Sequence, residues 1–282
     1  MTGLTPNFEY VRSVVKNAAG ISLDKGKDYL IENRLAPVAS KHGFDSIPDL
    51  VQEMMDEGEG GTIERIVIDA LTINETSFFR DQAVFDHLEQ TVLPQIIKKN
   101  AGTKRLKIWS AACSTGQEIY STAILLKERF PRLKDWHIGL HATDISDRVL
   151  EQARSGTYSE FELNRGISPA LKEKYFNKVS EFDWQICEEI RQSVSFSRHN
   201  LVGAWNGLGM YDVILLRNVL IYFELPEKQL ILSHARKHIN EGGHLFLGAS
   251  ETTFNIDSNW VSEGTTSASF QVKGKEVRNI GI

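Results

Sequence analysis

The chain has 282 residues, 41% hydrophobic and 24% charged, the balance of an ordinary globule of one large or two modest domains rather than a disordered or fibrous chain. A net charge of −5 argues against a globally basic nucleic-acid binder, and two cysteines, Cys113 and Cys187, are too few for a disulfide scaffold or a Cys-rich zinc site, so no metal is expected. There is no long uncharged apolar run, and Met1–Tyr10 lacks the basic-then-apolar layout of a signal peptide, so the expectation is a cytoplasmic protein without a membrane span.

Residues 1–72 read as helices only. Thr5-Pro6 is an N-cap with proline at the first helical position, Gly20 is a stop, and Phe8, Val11, Val14, Val15 and Ala18 share one face. Lys27–His42 is also helical, with Pro37 expected to kink or split it. Ser46 is placed to cap a helix carrying Leu50, Val51, Met54 and Met55, and Thr62 one carrying Ile63, Ile66, Val67, Ala70 and Leu71. Residues 73–102 connect this helical domain to the rest, mostly as a helix with Val84, Leu88, Val92 and Ile96 on one side.

Over residues 103–282 strands and helices alternate. Strands are expected at Leu106–Trp109, Ile138–Ala142, Tyr211–Leu215 and His244–Leu247, and helices at Glu118–Phe130, Asp147–Arg154 and Glu227–Ile239. Asn240–Gly243 reads as a turn. The pattern predicts an α/β domain with a doubly wound, Rossmann-like parallel sheet. Trp260–Ser262 and Ser267–Val272 are candidates for an antiparallel edge.

Such sheets bind ligands beyond the carboxyl ends of their strands. After the first strand comes Ala111-Ala112-Cys113-Ser114-Thr115-Gly116-Gln117-Glu118. Its single glycine does not make the G-x-G-x-x-G cradle that a pyrophosphate needs, which disfavours a dinucleotide and leaves room for a phosphate-free nucleoside such as S-adenosylmethionine (SAM). Glu118 either complements the helix dipole or binds an ammonium group. Asp144, ending the second strand, either accepts from ribose hydroxyls or caps the next helix, a task Ser146 can perform. His199-Asn200 and Leu201 could read an adenine edge. Arg217 and Asn218 follow the strand ending at Leu215, and Tyr222 and Phe223 could wall a pocket or pack as a core loop.

Three segments in order carry a resemblance over nearly the whole chain: Asn74-Glu75-Thr76-Ser77-Phe78-Phe79-Arg80, similar to an N-x-T-x-F-F-R signature; Ser110 to Glu118; and Arg217-Asn218-Val219-Leu220-Ile221-Tyr222-Phe223. Behind a helical domain, they resemble the chemotaxis receptor methyltransferases (CheR). The resemblance implies methyl transfer from SAM to glutamate side chains on the cytoplasmic helices of chemoreceptors, giving methyl esters and S-adenosylhomocysteine. By motif it implies that Asn74, Thr76, Arg80, Glu118, Asp144, Asn200, Leu201, Arg217 and Asn218 surround the cofactor, with Arg80 and Tyr222 nearest the reacting groups. A glutamate nucleophile is already ionised near neutral pH, its ordinary pKa being about 4.3, so no general base is needed. What is needed is alignment and exclusion of water. Tyr222 can donate a hydrogen bond that aims the carboxylate, and Arg80 can counter the carboxylate of cofactor or substrate. The bland alternatives are a core tyrosine and a domain-bridging arginine.

The resemblance also implies that the helical domain docks acidic receptor helices. Lys25–Phe44 has four Lys or Arg and two acids, net +2, and Lys27, Arg34 and Lys41, spaced by seven, would share a helical face. Asp45–Glu64 has seven acids and no Lys or Arg, net −7. Part of the family carries a small antiparallel subdomain, here expected within residues 156–200 with hairpin strands near Asp183–Glu188 and Ser193–Ser197, that captures a receptor's C-terminal pentapeptide through a glycine-containing loop. The corresponding Asn177–Phe182 has no glycine, so a pentapeptide-independent enzyme is expected. Rival readings are a nucleic-acid methyltransferase, disfavoured by the absence of proline from Arg217–Leu220 and by the net charge, and a SAM-binding scaffold without turnover, disfavoured by the presence of both Arg80 and Tyr222.

Overall fold

The computed structural model describes residues 5–262 and 269–272. Helices α1 (Thr5–Ala19), α2 (Asp28–Lys41), α3 (Ile47–Glu57) and α4 (Thr62–Leu71) pack around their own apolar centre, in which Val11, Val15, Leu35, Leu50, Met54 and Val67 are buried. The chain leaves α1 at Gly20 with φ of 73°, the left-handed stop that glycine adopts without strain. Ser46 caps α3, its Oγ accepting from the Asp49 N–H at 3.3 Å. The cap expected of Thr5 lies outside the described side chains.

Two expectations for this domain need correction. α2 runs through Pro37 as one helix; Pro37 is exposed, so water can reach the carbonyl that the proline leaves without a donor. Thr62 is not a cap but the first residue of α4. Glu57, at the end of α3, accepts from the Ile63 N–H at 2.7 Å, and Glu64 accepts from the Gly60 N–H at 3.0 Å. The Glu57 carboxylate thus serves an orphan donor and complements the positive helix end, while Glu64 ties down the turn ahead of it.

The connection is a continuous helical run: α5 (Gln82–His87), one π turn over Leu88–Val92, and α6 (Leu93–Lys99). Val84, Leu88, Val92 and Ile96 are all buried. Leu93 N–H reaches back five residues to the Leu88 carbonyl, and the next residue is Pro94, whose missing donor already interrupts the α ladder.

The rest runs β1 (Arg105–Ala111), α7 (Gln117–Arg129), β2 (His137–Asp144), α8 (Asp147–Ser155), β3 (Thr157–Ser159), α9 (Glu160–Asn164), α10 (Pro169–Tyr175), β4 (Phe176–Lys178), β5 (Asp183–Ile186), α11 (Glu188–Gln192), β6 (Val194–Arg198), β7 (Tyr211–Leu215), α12 (Leu225–His238), β8 (Ile239–Phe246), β9 (Trp260–Ser262) and β10 (Ser269–Val272). The main sheet has the order β6-β2-β1-β7-β8-β10-β9. β6, β2, β1, β7 and β8 are mutually parallel, and β10 is antiparallel to both β8 and β9. This is a Rossmann-like α/β sheet. β7, the central apolar run, is buried at every residue, as a strand covered on both faces must be. Ser267, at the start of the expected last strand, lies outside the described residues.

Ser193–Ser197 is not a hairpin strand. Val194–Arg198 extends the main sheet in parallel with β2, from Leu140↔Val194 to Asp144↔Arg198. The small antiparallel sheet is instead β3-β5-β4, with Asp183–Ile186 in the middle. Nor is Asn240–Gly243 a turn before a strand. It is a bulge inside β8, between the pairs Tyr211↔Ile239 and Val213↔His244. Gly242 has φ of 65°, and a Cβ on Gly243 would lie 2.8 Å from the Asp212 carbonyl. Asp212 anchors the bulge by accepting from the Asn240 amide at 2.9 Å and the Lys107 N–H at 2.8 Å.

Candidate functional site

After β1 the chain turns outward to β2, and β7 lies on the other side of β1. That reversal opens a crevice at the carboxyl ends of β1, β2 and β7. The cleft there is closed by the helical domain. Asn74, Thr76, Arg80, Glu118, Asp144, Asn200, Leu201, Arg217, Asn218 and Tyr222 all line it, as do Lys27 and Arg34. Lys41 does not; it is exposed at the far end of α2.

Asp144 is 5% exposed. Its Oδ2 accepts from the Ser114 N–H at 2.8 Å and its Oδ1 from the Ser146 N–H at 3.1 Å. Burial lifts its pKa above the usual aspartate value, while the Ser146 and Ser114 amides pull it back. Ser146 Oγ performs the helix cap, accepting from Val149 N–H at 3.4 Å. Asp144 therefore fastens two turns and still has lone pairs for a ligand hydroxyl. Next to it, Cys113 is 2% exposed; burial, then the charges of Asp144 and Glu118, push its thiol pKa well up, which makes it an unreactive packing group.

The junction motif is wedged in place. Phe78 meets Tyr158 and Phe176 edge-on, with centroids 5.0 and 5.5 Å away. The Tyr158 hydroxyl donates to the Thr115 carbonyl at 2.7 Å, so the small sheet grips both the motif and the loop after β1. Gly166 has no room for a side chain, since a Cβ there would lie 1.9 Å from the Phe78 oxygen. Phe79 and Asp81 sit at φ of 47° and 61°, a conformation costing roughly 1–3 kcal/mol each. Phe79 is held there by its N–H on Ser121 Oγ at 2.9 Å.

Arg217 holds Asp81. Its side chain is 2% exposed; Nη2 pairs with Asp81 Oδ2 at 2.7 Å and Nη1 with Glu118 Oε2 at 2.9 Å. Nη2 also donates to the Arg80 carbonyl at 2.9 Å. Ser110 Oγ donates to the other Glu118 oxygen at 2.7 Å. One buried guanidinium thus joins β7, α7 and the junction motif.

Two supporting residues escaped the sequence reading. Glu251 is 7% exposed, and its carboxylate accepts from the backbone N–H groups of Asn218 (2.7 Å), Val219 (2.9 Å), Leu220 (2.7 Å) and Gly248 (2.6 Å). It fixes the loop that carries Asn218, itself at φ of 58°. The available signal was an acid close behind the last buried strand. Gly166 is the other, marked only by a glycine between two helical segments.

The helical domain is stitched into the same wall. Asn200 Nδ2 donates to the Ala18 carbonyl at 2.7 Å, and the Ser22 N–H donates to the Tyr222 carbonyl at 3.0 Å. Arg34 Nη1 donates to the carbonyls of Leu71 (3.1 Å) and Thr72 (3.0 Å). The expected single basic face is therefore not formed: Lys27 belongs to a 3-10 turn ahead of α2, Arg34 is half-buried against the junction, and only Lys41 is free on the outer surface of that helix. Seven-residue spacing put the three in line but could not say which neighbour that line would face.

At the mouth, Arg80 Nη1 lies 3.1 Å from Glu75 Oε2, and Arg165 Nη2 lies 2.6 Å from Glu75 Oε1. Burial raises the Tyr222 pKa, partly offset by the nearby Arg80 charge, so Tyr222 is a protonated donor at neutral pH.

The cleft suits a zwitterionic nucleoside. Arg217 Nε and His199 Nε2 are buried on its wall without a hydrogen-bond partner among the described residues, and buried polar atoms of that kind call for one. Arg217 offers cationic donors for a carboxylate, Glu118 an acceptor for an ammonium, and Asp144 acceptor capacity for hydroxyls.

Comparison with known proteins agrees with this geometry. Residues 74–268 match the family model described as CheR methyltransferase, SAM binding domain, and residues 6–72 match CheR methyltransferase, all-alpha domain. Chemotaxis protein methyltransferase 1 of Pseudomonas aeruginosa is 38% identical over 264 residues, covering 92% of this chain and 95% of that protein. Chemotaxis protein methyltransferase Cher2 of Pseudomonas putida is 39% identical over 249 residues, covering 87% and 90%. Chemotaxis protein methyltransferase of Vibrio parahaemolyticus is 35% identical over 258 residues, covering 89% and 92%. Among the described residues no helix is long and apolar enough to cross a membrane. A cleft at the sheet switch point closed by an all-helical domain, with family matches along nearly the whole length, makes this chain a member of the CheR family of SAM-dependent chemotaxis methyltransferases.

Proposed function

We propose that the enzyme methylates glutamate side chains on the cytoplasmic helices of chemoreceptors, forming methyl esters in the cytoplasm. The observation that carries this reading is the cleft wall, where Arg80 and Arg34 lie close enough to the protonated Tyr222 for their charges to act on it. A phenol beside guanidinium groups, one of them paired at the surface with Glu75, suits an anionic acceptor that needs no base. SAM, when bound, supplies an electrophilic methyl group. Asn74, Thr76, Glu118, Asp144, Asn200, Leu201, Arg217 and Asn218 would hold it, Arg217 pairing with its carboxylate and Glu118 with its ammonium. Arg80 attracts the acceptor carboxylate, and Tyr222 donates to one of its oxygens and so aims the other. Removing one such preorganised donor typically costs on the order of 10²-fold in rate.

We further propose that the helical domain over residues 1–72 presents the receptor helix to this mouth from the side of Lys27. The receptor's terminal pentapeptide is not required. The hairpin between β4 and β5 supports this, for it is a tight turn in which Val179 and Ser180 N–H both donate to the Asp183 carbonyl, at 3.0 and 3.2 Å. The test is incubation with tritiated SAM and receptor-containing membranes. Base-labile label on receptor glutamates, mapped by mass spectrometry, is expected; label on nucleic acid, or cofactor binding without transfer, overturns the reading. Calorimetric titration with a tethering pentapeptide is expected to show no heat, and micromolar binding overturns independence.

A further inference from the structure

We infer that Glu75 occupies, in the enzyme without acceptor, the seat that the acceptor carboxylate takes in turnover, and that Arg165 is a second acceptor-binding residue. The inference rests on the proposal above that the acceptor is a carboxylate. Glu75 is itself a glutamate on the wall of the cleft mouth. Its two oxygens are divided between two guanidinium groups: Oε2 on Arg80 at 3.1 Å, Oε1 on Arg165 at 2.6 Å. The Arg165 bond, with the charges of Arg80 and Arg165, holds its pKa below the usual glutamate value despite some desolvation, so it is an anion at neutral pH. Tyr222 stands within reach of the charges of both Arg80 and Glu75. An incoming glutamate seeking Arg80 beside Tyr222 therefore meets a carboxylate already there.

Exchange is cheap where Glu75 sits. The side chains of Glu75, Arg80 and Arg165 are 51%, 31% and 43% exposed, and exposed pairs hold weakly because water and ions compete for each charge. Arg80 does not depend on the Glu75 carboxylate for its position. Its Nη1 also donates to the Glu75 backbone carbonyl at 3.0 Å, and its own carbonyl is held by Arg217. The Glu75 side chain can swing away while Arg80 stays. Arg165 is likewise anchored by its chain neighbour Gly166, packed on the Phe78 backbone. When Glu75 leaves, two guanidinium groups remain to take one substrate carboxylate.

The test compares the full-length enzyme with Glu75→Gln and Arg165→Gln in steady-state methyl transfer to receptor membranes. Glu75→Gln is expected to lower the receptor KM roughly two- to five-fold, the worth of an exposed ion pair, with kcat and S-adenosylhomocysteine affinity unchanged. Arg165→Gln is expected to raise KM by a similar factor. Asp24→Asn removes a charge from the same wall at a residue outside the Glu75–Arg80–Arg165 group, and is expected to change KM less. An equal gain from Asp24→Asn, or a fall in kcat without a change of KM in Glu75→Gln, overturns the inference. A second arm does not depend on the receptor: calorimetry of glutarate with the S-adenosylhomocysteine complex. Glu75→Gln should bind this dicarboxylate two- to five-fold more tightly than the wild type, roughly as the same ion-pair worth dictates; equal or weaker binding overturns the inference even if receptors prove not to be substrates.

Discussion

The floor of the cleft and its mouth are built from the same two chemical groups, guanidinium and carboxylate, in different solvents. On the floor, the Arg217 side chain is 2% exposed and that of its partner Glu118 14%. At the mouth, the side chains of Arg80 and Glu75 are 31% and 51% exposed. A pair cut off from water cannot lose one member without stranding the other, whereas a pair in water can exchange partners at small cost. On the proposed function, the floor is thus suited to holding a fixed cofactor, and the mouth to admitting and releasing the acceptor side chain on every turnover.

The contrast is tested most severely at Arg217. Arg217→Ala should lower the stability by about 3 kcal/mol, the low end for breaking a buried pair because Asp81 keeps some contact with water, and should abolish binding of S-adenosylhomocysteine. A urea midpoint and a cofactor titration both at wild-type values would remove the distinction between floor and mouth. Tyr222→Phe comes next. It should cut kcat roughly 10²-fold and leave S-adenosylhomocysteine affinity alone, because the proposed hydroxyl contact is to the acceptor. Loss of affinity in step with kcat would move Tyr222 from mouth to floor.

Glu251→Gln sharpens the comparison from the supporting side. Replacing the carboxylate that collects four N–H groups puts an amide donor against other donors and should cost about 2 kcal/mol, within the range for hydrogen bonds to charged groups. Cofactor affinity should weaken while KM for the acceptor changes little. The smallest effect is a pH dependence. His199, on the cleft wall, has its pKa pushed down to about 4, chiefly by burial. Between about pH 6.5, its ordinary value, and pH 4 the unfolded chain binds this proton and the folded chain does not, so stability falls as the pH is lowered through that window. Melting temperatures at pH 7 and pH 5 should therefore differ, and differ less in His199→Gln. Identical losses in both proteins would exclude His199 as the source.

What could be seen in the sequence follows the same physics. β7 was legible because burial on both faces demands five consecutive buried residues, and the junction motif because its Asn, Thr, two Phe and Arg recur at fixed spacing. β6 was misread because it is an edge strand: Ser195, Ser197 and Arg198 are exposed, and its partner lies more than fifty residues earlier, beyond any local pattern. The bulge in β8 was misread because Gly242-Gly243 has the composition of a turn, and only the Asp212 anchor tells the two apart. All the residues assigned to the cofactor by motif reached the cleft. The residues that hold them, Glu251 and Gly166, did not show, because a carboxylate that serves backbone amides and a glycine that makes room for a carbonyl carry no motif of their own.

The backbone bond from Ser22 to the Tyr222 carbonyl, with the bridge between Ile21 and Phe223, has a consequence for how such enzymes can diversify. The helical module and the module that performs the chemistry are not interchangeable parts. A chimera that borrows the front end of a relative to recognise new receptors inherits that relative's spacing at Tyr222 as well. With the helical domain docking the receptor as proposed, partner choice and turnover are therefore expected to drift together, with compensating changes falling at the seam rather than on either outer surface.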